Sequence, residues 1–221
     1  MQQYEAALPP GAWPNWVLGN HDTARIASRI GEAQARIAAM LLLTLRGTPT
    51  IYYGEEIGMK DVSIAPELVQ DPAEKNQPGL GLGRDPERAP MPWDGSRRAG
   101  FTSGEPWLPL CPDHANVNVS ALSKSPGSML NLYRQLTKLR RDTPALIQGE
   151  IAEATVHANI LKYQRCHGNR RLALALNFAR ESAQVLHSSG QILLSTYLDR
   201  TGEGVVQSLS LRANEGIIVQ L

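Results

Sequence analysis

The chain has 221 residues, 42% of them hydrophobic and 19% charged, with 19 Gly, 15 Pro and two Cys; this globular composition argues against a disordered chain, a collagen-like repeat and a disulfide scaffold. Twenty-two Lys and Arg against 21 Asp and Glu leave a formal charge of +1, which removes the electrostatic case for nucleic acid or an anionic membrane surface and points to a neutral ligand. The apolar run Ala38 to Leu43, extended to Leu45 through Thr44, falls far short of the roughly 20 residues that cross a bilayer, and the residues after Met1 show no secretion signal.

Pro14 precedes a short apolar run, Trp16 to Asn20, that gives way to His21 and Asp22 and reads as a buried strand. Between Glu32 and Arg46, Ala33, Ile37, Met40, Leu41 and Leu45 recur near helical spacing with Gly47 just past the end, which predicts a helix. Thr50 to Gly54, β-branched and aromatic after Pro49, reads as a second buried strand, so the three elements form a parallel strand-helix-strand unit. Gly58 to Gly127 has no sustained periodicity and holds ten of the fifteen prolines; it reads as one very long loop, of a length usually reserved for lids and binding loops. Helical spacing returns with Met129, Leu132, Tyr133, Leu136 and Leu139, followed by the basic Lys138, Arg140 and Arg141 and then Pro144.

After Gly149 the texture changes. Short runs at Ile160 to Gln164, Arg171 to Phe178, Gln191 to Ser195, Val205 to Leu211 and Gly216 to Leu221 alternate with turn signals such as His167-Gly168-Asn169 and Ser189-Gly190. They predict about seven strands in an antiparallel sandwich or small barrel. The expected division is therefore an α/β part over 1–148 and an all-β domain over 149–221. Cys111 and Cys166 lie far apart without metal-ligand spacing and read as reduced thiols of a cytoplasmic protein.

In parallel α/β folds the ligand site lies at the carboxyl ends of the strands. Asn20-His21-Asp22 follows the first strand and Gly54-Glu55-Glu56 the second. An adjacent His and Asp can grip neighbouring sugar hydroxyls, because the carboxylate accepts where the imidazole donates. The plainer reading is that they satisfy local backbone groups, with Arg25 as an ion-pair partner. Glu55 and Glu56 are consecutive, so at most one faces the site. No ligand set at useful spacing supports a metal, and no cofactor is expected.

Trp16 to Asp22 (WVLGNHD), Gly47 to Met59 (GTPTIYYGEEIGM), Arg84 to Asp94 (RDPERAPMPWD) and Asn116-Val117-Asn118-Val119 resemble, in order, segments of the glycoside hydrolase family that includes the α-amylases, in its α-glucosidase and oligo-1,6-glucosidase branch. The resemblance implies the last quarter of a (β/α)8 barrel, strands seven and eight with their helices and a long loop, followed by a β-sandwich domain. It implies retaining cleavage of α-glucosidic bonds in oligosaccharides, in which an Asp attacks the anomeric carbon and a Glu serves as acid and then base. Asp22 corresponds to the third carboxylate, which stabilises the transition state, and His21 to the grip on the adjacent hydroxyl. Asn20, Arg84 and Arg88 fall among the substrate contacts. Against that, Arg84 and Arg88 can simply brace the loop through Asp85 and Glu87, and Trp13, Tyr53 and Trp93 can pack rather than stack on sugars.

A closed barrel of this kind takes about 250 residues. In the family the nucleophile and the acid/base Glu lie upstream of strand seven, so the chain reads as a carboxyl-terminal part, inactive alone. Its expected partners are an α-glucoside or oligosaccharide and the upstream barrel segment, or a second copy of itself, with no nucleic acid and no membrane. The alternative is a noncatalytic binding or scaffolding relative of the same family, whose open sheet edges would need covering.

Overall fold

The computed structural model describes residues 2–186 and 189–221, and the chain divides into two compact units, one of 1–17, 36–50 and 132–221 and the other of 18–35 and 51–131. The first unit opens with helix α1 (Gln2–Ala6) and strand β1 (Asn15–Val17), which pairs in parallel with β2 (Thr48–Thr50) in the register Asn15–Thr48, Trp16–Pro49 and Val17–Thr50. Helix α3 (Glu32–Thr44) runs between them in sequence, after the short α2 (Ile26–Ile30), and buries Ile37, Met40, Leu42 and Leu43.

Both strands are shorter than expected and only part-buried, with Val17 45% exposed. Parallel strands are covered by neighbours on both sides and both faces, whereas β1 and β2 have only each other among the described residues. Beyond Val17 and Thr50 the chain leaves the extended state. Asn20 Oδ1 accepts the Asp22 N–H at 2.8 Å, and Gly54 at φ 87° turns the backbone into a 3₁₀ turn, Glu55–Ile57.

Two arginines close the helix ends of this unit. Arg140, from α6 (Met129–Asp142), donates to the carbonyls of Leu43, Leu45 and Gly47 at 2.8, 3.0 and 2.6 Å. Arg165 donates to Thr44 O, to Leu146 O at the end of α7 (Pro144–Ile147) and to Gly149 O. A cation at carbonyls without an intrahelical partner satisfies both the hydrogen bonds and the helix dipole. Burial holds the Arg165 guanidinium down at about 10, and Tyr163 Oη lies 2.5 Å from Thr44 Oγ1.

The rest of the first unit has strands β3 (Glu150–His157), β4 (Ile160–His167), β5 (Arg170–Asn177), β6 (Ala183–Leu186), β7 (Gly190–Ser195), β8 (Gly204–Val205), β9 (Ser208–Leu211) and β10 (Gly216–Gln220). Six form an antiparallel sheet ordered β3-β4-β5-β10-β7-β8, while β6 and β9 pair separately. Ala175, Val185, Ile192, Val205, Leu209, Leu211, Ile217 and Val219 make the shared core. On β5 every residue from Leu172 to Asn177 is buried, so both faces are covered, and α7 packs against β4 and β5.

The second unit corrects the expectation of one long loop. It contains 3₁₀ turns at Pro66–Leu68 and Pro86–Arg88 and helices α4 (Pro72–Asn76) and α5 (Val119–Lys124). Ile57, Met59, Val62, Ala89, Met91, Cys111 and Leu130 form its core. Elements this short carry no legible period. Their signals are caps: Asp71 before Pro72 accepts the Ala73 N–H, and Asn118 accepts the Ala121 N–H at 2.8 Å.

Candidate functional site

The site is built in the second unit, where the chain leaves β1. Asn20 forms an Asx turn onto Asp22 and an isolated bridge with Thr23, which sets His21 and Asp22 side by side. His21 Nε2 lies 3.3 Å from Asp22 Oδ2, and their side chains are 65% and 48% exposed, open to a ligand. The Asn20 carbonyl-type oxygen is committed to the turn.

The long segment supplies the other wall. Arg84 Nη1 and Arg88 Nη2 both donate to Asp22 Oδ1, at 3.1 and 3.0 Å, and Arg88 Nε donates to the His21 carbonyl at 2.9 Å. Desolvation raises the Asp22 pKa, but the Arg84 hydrogen bond, the His21 and Arg84 charges and the Arg88 hydrogen bond together hold it below the usual carboxylate range. The two arginines do not brace the loop through Asp85 and Glu87. Their second anchor is Asp71, whose Oδ2 accepts from the Arg84 backbone N–H at 3.1 Å and from Arg84 Nε at 2.7 Å. The Arg84 hydrogen bond, with help from the Ala73 N–H, holds the Asp71 carboxyl well below its ordinary value. Asp85 instead accepts the N–H groups of Gln70 and Asp71. Sequence reasoning passed over Asp71, whose only local signal is its position before Pro72.

Arg25 is a strut rather than an ion-pair partner of Asp22. It is buried, its guanidinium donates to Tyr53 O and Glu87 O, and its backbone N–H donates to Asp61 Oδ1 at 2.9 Å. It lies 4.9 Å from the Tyr52 ring and 4.6 Å from the Tyr53 ring. Cation and ring contacts of this sort stiffen a partly desolvated corner. Tyr53 hydroxyl donates to Ala89 O, while 37% of the residue stays exposed. Trp93 is exposed, and Trp13, in the other unit, lies under the Arg46 guanidinium at 4.7 Å.

Of the two consecutive acids, Glu55 is the buried one at 2% exposure, and Glu56 is half-buried. Burial pushes the Glu55 carboxyl up to about 7, against the opposing Tyr52 N–H and Arg25 charge. Among the described residues no group of three or more His, Cys, Asp or Glu side chains could hold a metal ion, and no helix is long and apolar enough to cross a membrane.

Residues 1–149 match the model of the alpha amylase catalytic domain. The chain belongs to the α-amylase family. It is 31% identical over 230 aligned positions to the oligo-1,6-glucosidase of Parageobacillus thermoglucosidasius, covering 89% of this chain and 41% of that protein. It is also 34% identical over 226 positions to an amino acid transporter heavy chain of Mus musculus, covering 96% of this chain and 32% of the other. The trehalulose synthase MutB of Pseudomonas mesoacidophila MX-45 superposes with a TM-score of 0.83 at 27% identity, over 94% of this chain and 43% of that one. Within the α-amylase family the match is to the α-glucosidase and oligo-1,6-glucosidase branch, of which the chain carries the carboxyl-terminal part. It spans 29% to 41% of the length of the curated relatives it matches.

Proposed function

We infer that the chain is the carboxyl-terminal portion of an α-glucosidase-type glycosidase that cleaves α-glucosidic bonds of oligosaccharides with retention. Residues 1–148 form the last quarter of its (β/α)8 barrel, with β1 and β2 as strands seven and eight, and 149–221 its β-sandwich domain. Asp22 stabilises the oxocarbenium-like transition state. His21 and Asn20 hold sugar hydroxyls, and Arg84 and Arg88 contact substrate from the long segment. The nucleophile and the acid/base come from barrel strands outside these residues, so the chain alone does not turn over substrate. A cytoplasmic setting fits the two free cysteines.

The observation that carries this reading is the exposed His21–Asp22 pair, with two arginines converging on one oxygen of Asp22. Exposed ion pairs of this kind contribute little net stability. A sugar hydroxyl can therefore exchange with a guanidinium at Asp22 at little cost, while the remaining donors keep the carboxylate ionised. Removing one preorganised group aimed at developing charge costs roughly 100- to 1,000-fold in rate.

Hydrolysis of a chromogenic α-glucoside, by the chain alone and by the enzyme completed with its upstream barrel, tests the reading. The chain alone is expected to be silent, and Asp22→Ala to cost the complete enzyme at least that factor. Turnover by the chain alone that survives Asp22→Ala would overturn both the fragment reading and the role of Asp22. The second reading, a noncatalytic relative, is favoured by the similarity to a transporter heavy chain over nearly the whole sequence. It predicts instead a stably folded, monodisperse chain without the upstream segment.

A further inference from the structure

Glu55 is the acid that neither reading uses. It is buried, yet its Oε1 has no hydrogen-bond partner, and its Oε2 receives a long 3.3 Å bond from the Tyr52 N–H. The free oxygen stands beside Gly19, the residue that leads into the Asn20–Asp22 turn. A Cβ on Gly19 would lie 2.8 Å from Oε1, so a side chain there would force the carboxyl or the turn to shift. The cations facing Glu55 are Arg25 and Arg29, and its acidic neighbour is Glu56. Both arginines direct guanidinium hydrogen bonds to carbonyls, Arg25 to Tyr53 and Glu87 and Arg29 to Leu18.

We propose that Glu55 is a positioning residue for the sugar-binding turn: its buried carboxyl sets the conformation of Gly19 to Asp22, and gain or loss of its proton is passed through Gly19 to His21 and Asp22. A neutral carboxylic acid tolerates a dry site with few partners, whereas a buried carboxylate without donors is costly and must draw in water or shift the groups around it. The peptide beside the free oxygen is that of Gly19, which has no side chain to resist the shift. Burial brings the proton change to about pH 7, so both states are populated near neutrality. The functional meaning rests on His21 and Asp22 gripping sugar, but the coupling itself does not.

The test is an NMR titration of the full 221-residue chain from pH 5 to 9, following the Glu55 carboxyl carbon, the amides of Gly19 to Asp22 and the His21 ring. The ring signal separates the titration of His21 from that of Glu55. The expected result is an inflection near pH 7 shared by the Glu55 carbon and the turn amides, abolished by Glu55→Gln and kept in Glu56→Gln. If Glu55→Gln fails to fold, Gly19→Ala is the second variant, and it should move the carboxyl and amide midpoints together. A Glu55 carbon that titrates near 4.5, or turn amides with a midpoint unrelated to it, would overturn the proposal. Maltose added to the enzyme completed with its upstream barrel, read at His21 and Asp22, tests the sugar reading separately. No response to maltose with the shared inflection intact would count against that reading alone.

Discussion

Replacing Glu55 by Gln should stabilise the chain above neutrality and leave it nearly unchanged in acid. The carboxyl ordinarily titrates near 4.5 and is pushed to about 7 in the fold, so between those values the folded state binds more protons than the unfolded one. Stability from this group is therefore fully present below about pH 4.5 and is lost as pH rises through 7. At about 1.4 kcal/mol per pH unit, the loss across that window is about 3 kcal/mol, a large part of the 5 to 15 kcal/mol typical of a domain. Solvent does not screen it, because Glu55 is 2% exposed. Gln matches the neutral acid in shape and keeps an acceptor for the Tyr52 N–H. Urea unfolding of both proteins at intervals from pH 4 to 9 gives the difference directly, and histidine titrations common to both cancel. The stability gap should open by about 3 kcal/mol in favour of Gln on raising the pH. Parallel curves from pH 4.5 to 8 would refute the argument that burial, undefended by a partner, controls this group.

Arg165→Met removes the donor for the carbonyls of Thr44, Leu146 and Gly149. At on the order of 1 kcal/mol per orphaned buried acceptor, it should cost about 3 kcal/mol; a urea midpoint implying less than 1 kcal/mol would show that water replaces the guanidinium. Gly54→Ala puts a methyl 2.7 Å from both Arg25 Nη1 and Met59 Sδ at a φ of 87°, and about 2 kcal/mol or more should appear as a lowered Tm. Its absence would mean that the Arg25 strut is looser than its hydrogen bonds indicate. Cys111 is buried with its thiol pushed up to about 11, whereas Cys166 is half-buried. A thiol reagent at pH 8 should therefore label Cys166 in the folded chain and Cys111 only in denaturant; equal rates would count against the core around Cys111.

The sequence by itself settled what depends on local pattern and chemical type. Helical spacing marked α3, bounded at Glu32 and ending within two residues of Arg46, and α6 from Met129. The change of texture after Gly149 announced the antiparallel strands, and the order of His21-Asp22, the strand-eight segment and the Arg84–Arg88 segment carried the family. Only the tertiary structure could decide which groups meet. Asp71, 49 residues after Asp22 in the chain, holds the arginine that also grips Asp22, and nothing in its neighbourhood announces that partner. Arg140, which reads as part of a basic helix end, and Arg165, which no predicted element includes, cap helix carbonyls more than ninety positions away in one case and more than a hundred in the other. Consecutive Glu55 and Glu56 look alike on paper. Burial beside Gly19 gave one of them an environment that raises its pKa, because desolvation depends on what surrounds a group in space, and no period or motif in a linear chain records that.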